Sequence, residues 1–517
     1  GNDGTEWHRD SRRIRAANDL SLSVASMSPE KPPPPGGMSA DPEAAAELVT
    51  LGYHQELKRR VGFLGNLSLT LSDISPTASL LVVGPVVILA AGTGSLLVML
   101  IGSLVSICIA FCVAELGSMF PVAGGLYFMT AKVLGRGTGF VGLIALVGIS
   151  LFVPAAVALG IGTYLSSLNA NIPTNLAAGL VMAVMTLIAL LQIRSNAIIT
   201  GISLALELLV VVGLFFAGVT HIHQSASMLI HPVLTNGHGG LGPVGFAAII
   251  SAVAVAVFAI GGYEGAVNFS EETKTSASGI GKAVMTSAAV GIGLILIPFV
   301  AVLFGAPHLA SFVASSTPFT DVARASFGGG FVKFLTIGAI IAILNAALAL
   351  TLQYSRVIWA SGRDRAWPEP VSSWIGKVGS GRGAPWVATL IVGGVGVVLC
   401  LQSSLVSVIT FTGVLSTVSY GLVAVAGLVS RFHDRDLARP FRMPVWPLPA
   451  VIAVAGLAYA LTQQAGHDLV ICGAVFGAGI VYYALFLRGR PHYWSLVGRS
   501  LETASHAVGG DDTSTGA

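Results

Sequence analysis

The chain has 517 residues, of which 54% are hydrophobic and 10% charged, with a formal net charge of +3 and a mean hydropathy of +0.82. Soluble globular chains carry about 25% charged residues, so the composition excludes a soluble protein and indicates an integral membrane one. The net charge taken alone selects no partner, and no nucleic acid is expected.

Residues 1 to 57 are polar and include "SPEKPPPPGG", a stretch that cannot build a core and reads as a disordered cytoplasmic tail. The segment lacks the charged, apolar and small-residue order of a signal peptide, and Met27 and Met38 are candidate starts. From residue 63 to residue 487 apolar runs recur that are long enough to cross a hydrocarbon core of about 30 Å. The predicted spans are 63 to 90, 94 to 114, 138 to 167, 175 to 193, 198 to 219, 246 to 270, 283 to 305, 332 to 358, 385 to 401, 405 to 430, 447 to 464 and 468 to 487. They mix Gly, Ala, Ser and Thr with aliphatic residues, which suits close helix packing in lipid, and none alternates as a barrel strand does. The expected fold is all-α, with about twelve transmembrane helices over 58 to 487 and a cytoplasmic tail over 488 to 517.

An even number of spans puts both ends on one side. If that side is the cytoplasm, all of the 27 Lys and Arg residues except Arg324 and Lys333 lie inward, so the positive-inside rule sets the orientation. The expectation is a multi-pass plasma-membrane protein with both termini cytoplasmic.

The first span reads "LSLTLSDISPTASLLVVGPVVI". Pro76 removes a backbone donor there, and Ser72, Asp73, Ser75, Thr77 and Ser79 surround it with polar side chains that can satisfy the freed backbone. A break near residues 73 to 77 is predicted. The sixth span carries Gly261, Gly262 and Gly265 around Glu264, and each glycine weakens a helix by about 1 kcal/mol relative to alanine, which predicts a second break. Spans one and six are five apart, so residues 63 to 219 and 246 to 430 parse as two five-helix repeats, with 447 to 487 as two additional helices. An odd repeat length makes the second half run through the membrane in the opposite sense. Paired interrupted helices in inverted halves point to a secondary transporter with its site at the midplane. Freed N–H groups suit a carboxylate and unwound carbonyls suit an amine or cation.

Three carboxylates sit within or beside breaks: Asp73, Glu207 and Glu264. Each is expensive at bilayer depth, and so each is a functional candidate. Glu207 has no basic residue within a helical turn, so it needs a partner from another helix or a proton; ion or proton coupling stands against a structural hydrogen bond. Glu264 is placed to brace the break or relay a proton. Asp73 is placed to pair with a substrate amine or to cap the second half-helix. Glu115, at a span's end, is expected at the interface. Phe258 and Tyr263 flank the second break, where they cover a substrate or pack the core. His221, His223, His231 and His238 share an outer loop and read as solvated residues rather than a metal site. Cys108, Cys112, Cys400 and Cys472 fall inside spans and read as packing, so no metal, disulfide or cofactor is expected.

Several longer stretches resemble the amino acid-polyamine-organocation (APC) superfamily of permeases, most closely its amino acid/choline branch. They are "LGYHQELKRRVGFLGNLSLTLSDISPTAS", "AELGSMFPVAGGLYFMTAKVLG", "GGYEGAVNFSEETKTSASGIGKAV" and "SRVIWASGRDRAWP". The resemblance implies a leucine-transporter-like 5+5 inverted repeat with broken helices one and six, plus two helices. It implies alternating-access transport of amino acids, their amine derivatives or choline. It places the substrate carboxylate on Ser75, Pro76, Thr77 and Ala78, and the amine near the carbonyls of Phe258, Ala259 and Gly261, beside Gly262. Phe258 matches an aromatic gate and Glu264 a glutamate implicated in proton linkage. Where several proton-coupled relatives place a lysine, this chain has Glu207, and either H+ or Na+ is the candidate coupling ion.

The expected function is secondary active transport of an amino acid or amino-acid-derived amine, with a choline, polyamine or GABA-type permease or exchanger as the alternative. A choline carrier calls for an aromatic cage, for which Phe258, Tyr263 and Trp359 are candidates. An amino-acid-binding membrane sensor is the alternative of another class, and it needs an output module that the tails do not pattern. No arrangement of nucleophile and base marks an enzyme. Monomer and homodimer both remain open.

Overall fold

A computed structural model gives the fold and describes residues 57, 59, 61–191, 193–235, 240–379, 384–490, 492–494 and 496. Most of both expected tails and His238 lie outside the described residues, as do the side chains of 193–200. The rest is helical apart from two small sheets, Val61–Gly62 pairing in parallel with Thr273–Lys274 and Val233–Thr235 pairing antiparallel with Leu241–Pro243.

Eight helical stretches among the described residues are long and apolar enough to cross a membrane: Phe63–Met119, Arg136–Ser166, Gly201–Val219, Phe246–Asn268, Ala277–Gly305, Pro318–Arg363, Leu405–His433 and Gly466–Leu487. The first holds two predicted spans, joined by the bend at Gly92–Gly94. Thr174–Ala189, Trp386–Gln402 and Leu448–Thr462 are apolar but shorter. Large apolar side chains such as Leu187, Ile297, Phe334 and Val470 are more than half exposed. Water would penalise such surfaces, whereas lipid tails solvate them at no cost.

Small residues set the closest helix approaches. An added Cβ on Gly305 would lie 2.6 Å from the carbonyl oxygen of Gly218, so the helices Ile193–Val219 and Ala277–Gly305 meet backbone to backbone. A Cβ at either position would force them apart and forfeit the dispersion contacts on both sides.

Four features go beyond the sequence reading. The link after the second span contains a helix, Gly125–Leu134, and a further helical segment from Pro318 precedes the eighth predicted span, meeting it at a kink where Gly328 leaves helical backbone (φ 78°, ψ 177°). Glu115, expected at the interface, is fully buried. Its carboxylate accepts from Arg431 at 2.6 Å, Arg439 at 3.0 Å and the backbone N–H of Met443 at 2.6 Å. The helix Ser95–Met119 runs past it, and the segment after His433 folds back over that end. Trp494, inside the expected C-terminal tail, is also fully buried. Its indole N–H donates to the Arg136 carbonyl at 2.8 Å, its backbone N–H donates to the Arg365 carbonyl at 2.9 Å, and its ring lies 5.6 Å from that of Tyr127.

The two interrupted helices are tied together at one end. Asn66 Nδ2 donates to the carbonyl of Ala266 at 3.1 Å and to Thr273 Oγ1 at 2.8 Å, beside the short parallel ladder. Next to them Arg356 is locked to Glu272 at 2.6 Å, both fully buried. Removing one member of such a pair leaves an uncompensated buried charge.

Candidate functional site

The first interruption falls at Ser75. The helix Phe63–Ile74 ends there, Ser75 takes a left-handed conformation (φ 41°, ψ 80°), and a new helical turn begins at Pro76. Pro76 explains the position: its ring disfavours helical backbone at the preceding residue and is pre-formed for the first position of the next helix. The break is therefore centred on Ser75, and Pro76 itself is helical. Ser75 Oγ caps the new turn by accepting from the Ala78 N–H at 3.3 Å. Asp73 does not cap it.

The second interruption follows Ile260. Gly261 is extended, Gly262 has φ 111°, and helix resumes at Gly265. Only glycine adopts such a φ without strain. A Cβ on Gly262 would also sit 2.8 Å from the Ile74 nitrogen and 2.9 Å from the Asp73 carbonyl carbon, so the two breaks touch through their backbones. Glu264 Oε2 accepts from the Gly262 N–H at 3.0 Å and from the Tyr420 hydroxyl at 2.9 Å. The carboxylate braces the turn.

Glu207 finds its partners on the first break. Its Oε1 accepts from the Ser75 hydroxyl at 2.7 Å and from the Thr77 N–H at 2.9 Å, while Oε2 has no partner. Ser79 Oγ donates to the Ala259 carbonyl at 2.6 Å, linking one break to the other. Asp73 is 4% exposed, and neither of its oxygens has a partner. Gly265 makes room for it, because a Cβ there would overlap Asp73 Oδ2.

A cavity of about 40 Å³ lies between the breaks. A water needs roughly 10–15 Å³ on this measure, so the space holds a few waters. Asp73, Ser75 and Ala78 reach it from the first break. Phe258, Ala259, Gly261 and Gly262 reach it from the second. Pro76, Thr77 and Tyr263 do not line it: Thr77 faces Glu207, and Tyr263 is buried behind the wall, its ring 5.9 Å from that of Tyr420. Trp359 is elsewhere, donating to the Gly376 carbonyl at 3.2 Å and lying under the Arg363 guanidinium. The expected aromatic cage of Phe258, Tyr263 and Trp359 is therefore not assembled.

Sequence reasoning missed the rest of the wall. Val153 and Val157, Leu350 and Tyr354, and Ser416 and Tyr420 contribute from three further helices. Each pair is spaced i, i+4 on one helix face, and "STVSY" at 416 to 420 was the available signal: three hydroxyl side chains and a tyrosine inside an apolar span. Among the described residues no group of three His, Cys, Asp or Glu side chains could hold a metal, and His221, His223 and His231 are exposed.

A family model described as an amino acid permease matches residues 61–486. The branched-chain amino acid permease BcaP of Bacillus subtilis is 24% identical over 461 residues, covering 85% of this chain and 96% of the relative. An uncharacterized transporter of Mycobacterium tuberculosis is 26% identical, covering 83% and 92%. The serine/threonine exchanger SteT of Bacillus subtilis is 22% identical, covering 83% and 97%.

Proposed function

Because this chain belongs to the amino acid permease family of the APC superfamily, we propose that it is a secondary active transporter moving an amino acid or an amino-acid-derived amine by alternating access. The observation that carries the reading is the contact of the two helix breaks, Gly262 against Asp73 and Ile74, beside a small cavity. The permease and exchanger named above support an amino acid cargo. Interrupted helices are where transporters place unsatisfied backbone and small-molecule sites.

In this reading twelve spans form two inverted five-helix repeats, 63 to 219 and 246 to 430, followed by two helices over 447 to 487, with both termini in the cytoplasm. Asp73, Ser75, Ala78 and Ala259 contact the cargo, and Phe258 covers it. The cavity holds only a few waters, so in this reading a cargo with a larger side chain is admitted by the two broken helices moving apart. Glu207 senses that movement. Ionised, it holds the Ser75 hydroxyl and the Thr77 N–H; with a proton or cation bound, it releases part of that grip, and coupling follows.

Saturable uptake into liposomes by the purified chain, stimulated by unlabelled amino acid or amine trapped inside, tests the reading. Binding without any flux would identify a sensor instead. Phe258→Ala is expected to weaken cargo affinity about tenfold, corresponding to about 1.4 kcal/mol, by removing one aromatic face and admitting water. Unchanged affinity and exchange in that variant would remove Phe258 from the gate.

A further inference from the structure

The transporter reading leaves the charge of the cargo open, and the chemistry around the cavity is one-sided. At the start of the helical turn after Ser75, where a cargo carboxylate would be held, every donor is already engaged. Pro76 has no N–H, Thr77 N–H and the Ser75 hydroxyl go to Glu207, Ala78 N–H goes to Ser75 Oγ, and Ser79 N–H goes to the Ser75 carbonyl. The protein's own carboxylate fills the anion position. Asp73, on the same break two residues before Ser75, also lines the cavity, buried, with both oxygens unpartnered. Among the described residues no Lys, Arg or His lines the cavity, and Arg356, on the neighbouring helix, is committed to Glu272 at 2.6 Å.

We propose that the cargo is a monocationic amine with the skeleton of an amino acid but no free carboxylate, its ammonium group held by Asp73 while Glu207 occupies the place of the missing carboxylate. This rests on the transporter reading and narrows it. A buried anion without a partner is costly, and an ammonium group supplies both the charge and the hydrogen-bond donors that Asp73 lacks. A zwitterion would bring its own carboxylate beside Asp73 in the wall, with Glu207 directly behind Ser75 and no cation in the lining. The aromatic rings of Phe258, Tyr354 and Tyr420 in the same wall favour a cation as well.

The test is a thermal-shift titration of the purified full chain with matched sets on leucine, serine, glutamate and lysine skeletons: each amino acid, its carboxamide and its decarboxylated amine. The carboxamide or amine is expected to bind at least tenfold more tightly than the parent on the preferred skeleton. Asp73→Asn is expected to abolish that preference. Glu207→Ala vacates the Thr77 N–H and the Ser75 hydroxyl, so it is expected to shift preference at least tenfold toward the parent amino acid, and acetate should raise its unfolding midpoint but not the wild type's. Tighter binding of the amino acids by the wild type would overturn the proposal and leave the transporter reading intact. Binding of none of the compounds would count against both. Stabilisation by sodium over potassium with no response to amines would make Asp73 an inorganic-cation site and also overturn it. If Glu207→Ala does not fold, the wild-type series still decides.

Discussion

Replacing Gly262 by valine is expected to reduce transport to background while the protein still assembles in the membrane. Two independent penalties meet at this position. A β-branched residue at φ 111° is strained by about 1–3 kcal/mol. The new Cβ would also lie within 3 Å of backbone atoms of Asp73 and Ile74, and backbone cannot rotate aside as a side chain can. The first break must therefore be displaced from the second, which opens the cavity wall between Asp73 and Gly261. Gly293→Ala provides the comparison. Gly293 lies in the helix Ala277–Gly305 with nothing within 4 Å of its added Cβ, so uptake should be unaffected. Uptake and unfolding midpoint measured on both variants check the result, and wild-type uptake by Gly262→Val would show that the contact between the breaks has no part in transport.

Glu207→Gln is expected to bring the accumulation ratio down to one, with exchange between equal pools falling far less. An amide can still accept from the Ser75 hydroxyl and the Thr77 N–H, the bonds that Glu207 makes at 2.7 and 2.9 Å, so the local fold is kept. What the amide cannot do is gain or lose a charge at Oε2, the atom with no partner. In the proposed coupling, uphill movement draws on that change, whereas exchange draws only on the cargo site. The measurement is gradient-driven uptake against counterflow in the same liposomes, with pH and sodium varied separately. A variant that keeps full accumulation and the original pH and sodium dependence would exclude Glu207 from coupling.

The helices were legible because an apolar run of sufficient length has few alternatives, and each predicted run falls on a helix with shifted ends. The breaks were legible for a related reason: proline and paired glycines act through local backbone sterics, which sequence displays directly. The helix Gly125–Leu134 was not, since it is short and follows a proline- and glycine-rich turn. Nor was the helical segment from Pro318 to the kink at Gly328, where polar residues precede the apolar run. At the site, Asp73, Glu207 and Glu264 stood out because carboxylates are rare in such surroundings. Their partners did not, because the bond from Thr77 to Glu207 spans 130 residues and that from Tyr420 to Glu264 spans 156. Glu115 shows the same limit: its place near a span's end was visible, but the two arginines that bury it come from more than 300 residues away.

Trp494 has a kinetic consequence. Its indole N–H holds the Arg136 carbonyl and its backbone N–H the Arg365 carbonyl, which belong to segments more than 200 residues apart in the chain. Any rearrangement that separates those two segments must first withdraw a buried tryptophan from one of them. Losing such a side chain's packing costs about 3–5 kcal/mol, and every 1.4 kcal/mol added to a barrier slows its crossing about tenfold. Unless the ring travels with both segments, opening at that end is slower by about two to three orders of magnitude than it would be without it. Trp494 thereby sets a clock on the relative motion of those two segments.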